Sequence, residues 1–162
     1  MALAKLNGIE LTNYILSRLG KASHIKLQKL LYYIEAYHLA YFEEPITDTE
    51  FEAWMHGPVS REVWDHFKTK SGVVYADINV DPEFAKKTIQ EVEKKLNPEQ
   101  LDYINDLLKE FAPRTAYQLE CLTHAEEPWL HARRGYSAAE RSAEIIRKED
   151  MLKYYRIKLY GE

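Results

Sequence analysis

Apolar residues recurring at three-and-four spacing, each run opened by a capping signal, predict a mainly α protein: a single compact helical domain of about six to eight helices. Two shorter stretches, residues 51–56 and 72–80, depart from that period. One alternates and the other is rich in β-branched side chains, which leaves room for a minor small β-sheet or hairpin. At 162 residues, with 46% apolar and 30% charged side chains, the chain is long enough for one domain with a real core and too short for two comfortable ones. Residues 1–162 are therefore expected to act as one unit.

Asn7 with Glu10 fits a capping box, Leu11, Ile15 and Leu19 follow at helical spacing, and Gly20 supplies a left-handed stop, so the first helix is expected over about 8 to 19. Ser23 can cap a second helix whose stripe of Leu27, Leu30, Leu31, Ile34, His38 and Tyr41 is widened by Tyr33, Tyr37 and Ala40. A helix apolar on most sides belongs at the centre of the molecule. Pro45 breaks the pattern. Phe51, Ala53 and Met55 then alternate with Glu52, Trp54 and His56 as a short strand would, ended by Gly57 and Pro58, although Thr47 with Glu50 offers a rival helical cap. Ser60 can cap a short helix carrying Val63, Trp64 and Phe67, and the stretch from Gly72 to Val80 is expected to pair with the 51–56 segment.

Asp81 before Pro82 and Asn97 before Pro98 are both N-caps followed by a first-turn proline, the second completed by Gln100. Ala85, Ile89, Val92 and Leu96 line the first of these helices, and Leu101, Ile104, Leu108 and Phe111 the next; the two are expected to meet antiparallel. Thr115 with Gln118 starts a helix through Ala116, Leu119 and Leu122. Pro128 opens a short helix ending at Gly135, and Ser137 with Glu140 makes a further turn. From Lys148, the spacing of Leu152, Tyr155 and Leu159 marks a final helix.

A formal charge of -4 supplies no overall electrostatic footprint for nucleic acid or anionic lipid. The first ten residues lack a basic stretch followed by an apolar one, and no run reaches the roughly 18 apolar residues of a membrane span, so a cytoplasmic home with no membrane contact is expected. Cys121 is the lone cysteine, which excludes an internal disulfide and a multi-cysteine zinc site. The twelve tyrosines fall mostly within periodic apolar segments and read as core and core-edge residues.

Six histidines invite a metal reading, yet none lies in an HExxH arrangement, and Glu127 with His131 suits an exposed ion pair better than a metal site. Cys121 and His124 are three apart, on one side of a helix, but nothing nearby supplies an oxyanion hole or an orienting carboxylate. Glycines form neither GxGxxG nor GxxxxGK[ST]. No catalytic residue, cofactor or metal is assigned, the expectation is not an enzyme, and a small cysteine or metal hydrolase ranks last. His38 reads as a core histidine. His56, beside Gly57 and Pro58, is equally suited to fixing the loop by a hydrogen bond and to meeting a partner. Five basic side chains between Arg147 and Lys158, interleaved with Tyr154 and Tyr155, suit a solvated helix face first and a nucleic-acid contact second.

Leu27 to Tyr33, Glu52 to Val59, and Thr123-His124 leading to Pro128-Trp129 together resemble the Panacea, or SocA-like, domain, in which a Leu-Gln-Lys-Leu-Leu-Tyr-Tyr helix leads into a Glu-Ala-Trp-x-x-Gly-Pro-Val turn and a Thr-His segment reaches a Pro-Trp pair. The resemblance implies an antitoxin that neutralises a cognate toxin, encoded by a neighbouring gene, through direct protein–protein binding. The alternative it implies is a proteolytic adaptor delivering the toxin to an AAA+ protease. It makes Trp54, His56, Val59, His124 and Trp129 candidate contacts, makes Gly57 and Pro58 turn-setting residues, and suggests a shared aromatic core of Trp54, Trp64 and Trp129. A cognate toxin is thus the expected partner; a homo-oligomer stays open.

Overall fold

The computed structural model describes residues 2–68 and 74–161. Among them are eight helices and five short strands: α1 (Gly8–Leu19), β1 (Lys21–Ser23), α2 (His24–Phe42), β2 (Phe51–Trp54), β3 (Gly57–Ser60), α3 (Arg61–Phe67), β4 (Asp77–Asn79), α4 (Pro82–Lys95), α5 (Pro98–Phe111), α6 (Ala116–His124), α7 (Glu127–Ala132), β5 (Ile145–Ile146) and α8 (Lys148–Tyr160). The protein is mainly α with two small antiparallel sheets, as its periodicity predicts.

The helix starts follow from local chemistry. Orphan N–H groups at each start are taken by a preceding side chain: Asn7, Asn97 and Thr115 form full capping boxes with Glu10, Gln100 and Gln118, and Ser23, Ser60 and Asp81 cap singly. Helix α1 stops at Gly20, whose φ of +83° reverses the chain into β1.

Helix α2 is buried along nearly its whole length and forms the axis of the molecule, with α8, α1, α5 and α6 packed round it. It carries Leu27, Leu30, Leu31, Tyr32, Tyr33 and Ile34, all essentially inaccessible. Buried Glu35 accepts from the backbone N–H of Ile46 (2.9 Å) and Thr47 (3.2 Å), from Thr47 Oγ1 (2.5 Å) and from Lys148 Nζ (3.1 Å). This charge is held by two amides, a hydroxyl and a lysine, and it fastens the 43–50 loop and the start of α8 to the axis.

Four expectations need correction. Gly57 and Pro58 open strand β3 rather than closing an element, and the turn is Met55-His56. Residues 77–79 pair with β1 (Ala22 opposite Ile78), not with 51–56, because β3 and β5 already occupy the two edges of β2; Gly72 and Val73 lie outside the described residues. Helix α4 packs chiefly on α1 and α5 on α2 rather than on each other, since Leu96 and Asn97 are both extended and redirect the chain. Helix α7 ends at Ala132, before Gly135, where Arg133 turns its guanidinium inward to accepting carbonyls at Ala53, Ser137 and Glu140. Ser137 and Glu140 do form a turn, closed by Glu140 N–H donating to the Ser137 carbonyl at 3.1 Å.

Candidate functional site

The three motif segments converge on one hairpin, β2–β3. Strand β3 lies at the edge of its sheet, so the backbone groups on its outer side have no strand partner. Helix α2 supplies partners from two adjacent side chains. Gln28 Oε1 accepts from Ser60 N–H at 2.9 Å and its Nε2 donates to the Ser60 carbonyl at 3.2 Å. Lys29 Nζ donates to the Pro58 carbonyl at 3.2 Å. Proline suits this edge because it has no N–H there to leave unpaired.

Gly57 sits at the closest approach. Its φ is +111°, and a Cβ there would lie 2.6 Å from Lys29 Cε and 2.9 Å from Thr123 Oγ1. Glycine is therefore demanded both by the backbone and by the space. Lys29 is fully buried and has no ion-pair partner among the described residues; burial pulls its ammonium down to about 7, opposed by the nearby Glu120 carboxylate.

Around this hub the second and third motifs interlock. Trp129, buried at the start of α7, donates its indole N–H to the Trp54 carbonyl at 2.8 Å and stacks on His124 with centroids 4.1 Å apart. Burial lowers the His124 imidazole below its ordinary value, partly offset by Glu120, and its Nε2 has no hydrogen-bond partner among the described residues. His56 Nδ1 lies 3.3 Å from Glu120 with half its side chain exposed. Trp54 is half-buried; its indole N–H donates to Glu52, Arg61 lies over its ring at 5.1 Å, and Trp64 packs edge-on at 5.0 Å. The three tryptophans thus meet through Trp54, by ring contact on one side and a backbone hydrogen bond on the other.

The seven sequence-derived site residues are brought together but differ in access. Gly57, Pro58, Val59 and Trp129 are buried; Trp54 and His124 are partly exposed, and His56 is exposed. Sequence reasoning passed over Gln28, Lys29, Glu120 and Arg133. A signal for the first two existed, because a helix read as central and apolar on most sides must bury a Gln-Lys pair set within it.

No group of three or more potential metal ligands is assembled among the described residues. Glu127 pairs with Arg134 at 3.5 Å. Exposed Cys121 has the hydroxyl of Tyr117 beside it, and the His124 imidazole stacks on Trp129. His38 is a core histidine as expected: Nδ1 donates to the Glu44 carbonyl at 2.6 Å, which leaves Nε2 to accept from Gln100 Nε2 at 3.0 Å. In the C-terminal helix, Lys148, Arg156 and Lys158 are engaged with Glu35, Glu43 and Glu126, and Arg147 at its N-cap is engaged with Glu149.

Fold and site define a helical scaffold that pins one edge-strand hairpin through buried polar side chains. The family model described as antitoxin SocA-like, Panacea domain, matches residues 27–130, from the start of the Gln28-Lys29 motif to just past Trp129. The chain belongs to this family of SocA-like Panacea domains. Neither the curated proteins nor the solved structures contain a match to it.

Proposed function

We propose that this chain is a cytoplasmic antitoxin that neutralises a toxin encoded by a neighbouring gene through direct protein–protein contact, with no catalytic step of its own. The family match across residues 27–130 carries the reading. No helix among the described residues is long and apolar enough to cross a membrane, which is compatible with it. Helices α1 and α8 lie wholly outside the matched span but pack on α2, which supports treating residues 1–162 as one functional unit.

Within the hub, burial divides the roles. Val59 and Trp129 support the hairpin from beneath, Gly57 and Pro58 set its path, and Trp54, His56 and His124 form the accessible rim that meets the toxin. A stable contact of this kind buries on the order of 1,200–2,000 Å² in total, so the rim would be one part of a larger surface.

The test is co-purification of the chain with the protein encoded by the adjacent gene, with toxin abundance followed in parallel. A stoichiometric complex with unchanged toxin abundance supports neutralisation by occlusion. A protease-dependent fall in toxin abundance would instead identify an adaptor, and the absence of any complex or fall would remove the reading.

A further inference from the structure

A cleft of about 610 Å³ opens between α2, α5 and the end of α8, and no hairpin residue lines it. Its floor is aromatic and aliphatic. Tyr41 and Tyr103 lie nearly parallel at 6.3 Å, Leu159 closes one side, and Tyr41 and Leu159 remain 47% and 43% exposed. The hydroxyls of Tyr37 and Tyr41 have no hydrogen-bond partner among the described residues. An apolar floor that carries polar tyrosine tips resembles the centre of a protein–protein contact, where tyrosine supplies area at small entropic cost.

The wall of the cleft is acidic. Glu99, Asp102, Asp106 and Glu110 occupy one face of α5, at successive separations of three, four and four residues, which spans about 16 Å of helix. All four are exposed, and none has an ion-pair partner among the described residues. Some carboxylates elsewhere find a cation, as Glu10 does in Lys95 and Asp48 in Lys5, and others, such as Glu83 and Glu91 on α4, do not among the described residues; what sets the α5 carboxylates apart is that four of them line one cleft. Lys158, the one basic residue lining the cleft among the described residues, is directed to Glu126 at 3.5 Å. Like charges one turn apart disfavour an isolated helix, and Lys109, the basic residue of α5, makes no ion pair with the row among the described residues.

We infer that this cleft docks a basic segment of the partner protein, whose arginine or lysine side chains pair with Glu99, Asp102, Asp106 and Glu110 while an adjoining apolar side chain covers Tyr41 and Leu159. The inference rests on neutralisation by contact and adds the chemistry of the partner. Guanidinium groups suit the site twice, as donors to carboxylates and as cations over tyrosine faces. The same row repels phosphate, so neither nucleic acid nor an anionic membrane fits this surface.

The test uses the protein encoded by the adjacent gene as the probe and measures its affinity by calorimetry at low and physiological salt. The double variant Asp102→Lys/Asp106→Lys should bind at least about tenfold more weakly and with a flattened salt dependence. Asp102→Asn/Asp106→Asn should fall between it and the wild type, and the same charge change placed on α4, Glu83→Lys/Glu91→Lys, should bind as the wild type does. Matching thermal melts confirm that the folds are equal. Equal affinity of the reversal variant and the wild type overturns the docking inference and leaves neutralisation by contact standing. No binding to the wild type overturns both.

Discussion

A methyl group at position 57 would lie 2.6 Å from Lys29 Cε and 2.9 Å from Thr123 Oγ1, on a backbone whose φ of +111° already disfavours any L side chain. Gly57→Ala should therefore cost about 1–3 kcal/mol in backbone strain and a similar amount in overpacking. Gly135→Ala, at φ +89° with nothing within 4 Å, should show the strain alone. Equilibrium unfolding in urea compares the two, and equal losses would mean that Lys29 and Thr123 move aside freely. Lys29 itself should shape the pH dependence of stability. Its folded value of about 7 lies below the ordinary 10.5, so between these pH values the unfolded chain holds a proton that the folded chain has released. Stability from this group rises across that window and is lost as pH falls towards 7. Lys29→Met should flatten the rise between pH 7.5 and pH 9.5, roughly the span between those two values. A persistent slope in the variant would assign it to another group.

At the scale of the elements, the β3 edge replaces a missing neighbouring strand with Gln28 and Lys29. Gln28→Leu keeps the volume and leaves the Ser60 N–H and carbonyl unpaired, at about 1–3 kcal/mol per group. Unfolding midpoints should fall accordingly, and the Ser60 amide should exchange with solvent faster than in the wild type. Unchanged exchange would show that water or another group already satisfies it. The element starts were legible in the sequence because caps are local: Asn7, Ser23, Asp81, Asn97 and Thr115 each bond the backbone two or three residues on. Pairing partners were not legible. The 72–80 stretch has strand character, but which edge it meets depends on β5, a two-residue strand that carries no sequence signal of its own. The convergence of the three motifs was visible as a family pattern, whereas its physical cause, a buried lysine under a glycine, depends on distances the sequence does not carry.

Across the whole molecule, tyrosines divide the interior from the surface less cleanly than periodicity suggests. Tyr32, Tyr33 and Tyr155 are buried, and the hydroxyls of Tyr33 and Tyr155 converge on Glu126 at 2.6 and 2.8 Å, joining α2, α7 and α8. Tyr41 and Tyr117 sit in equally periodic helices yet face solvent, because helical spacing marks a face without saying whether anything covers it. Leu159 illustrates the same limit: the stripe of α8 is buried at Met151 and Tyr155 and emerges at its end. Burial also sets a pH limit on the molecule. His24 and His38 are held down to about 4, so between pH 6.5 and 4 the unfolded chain binds protons that the folded chain refuses, and stability falls as pH drops through that window. Urea midpoints near pH 5.5 should show a slope equivalent to about two protons from this pair, to which the lowered His124 adds, and a flat profile there would place the imidazoles in contact with water.

The central claim is neutralisation of a neighbour-encoded toxin, and growth reports on it most directly. Cells induced for the adjacent gene alone should stop growing, and co-expression of this chain should restore growth. Arrest that persists in the presence of well-expressed, folded chain would contradict the account.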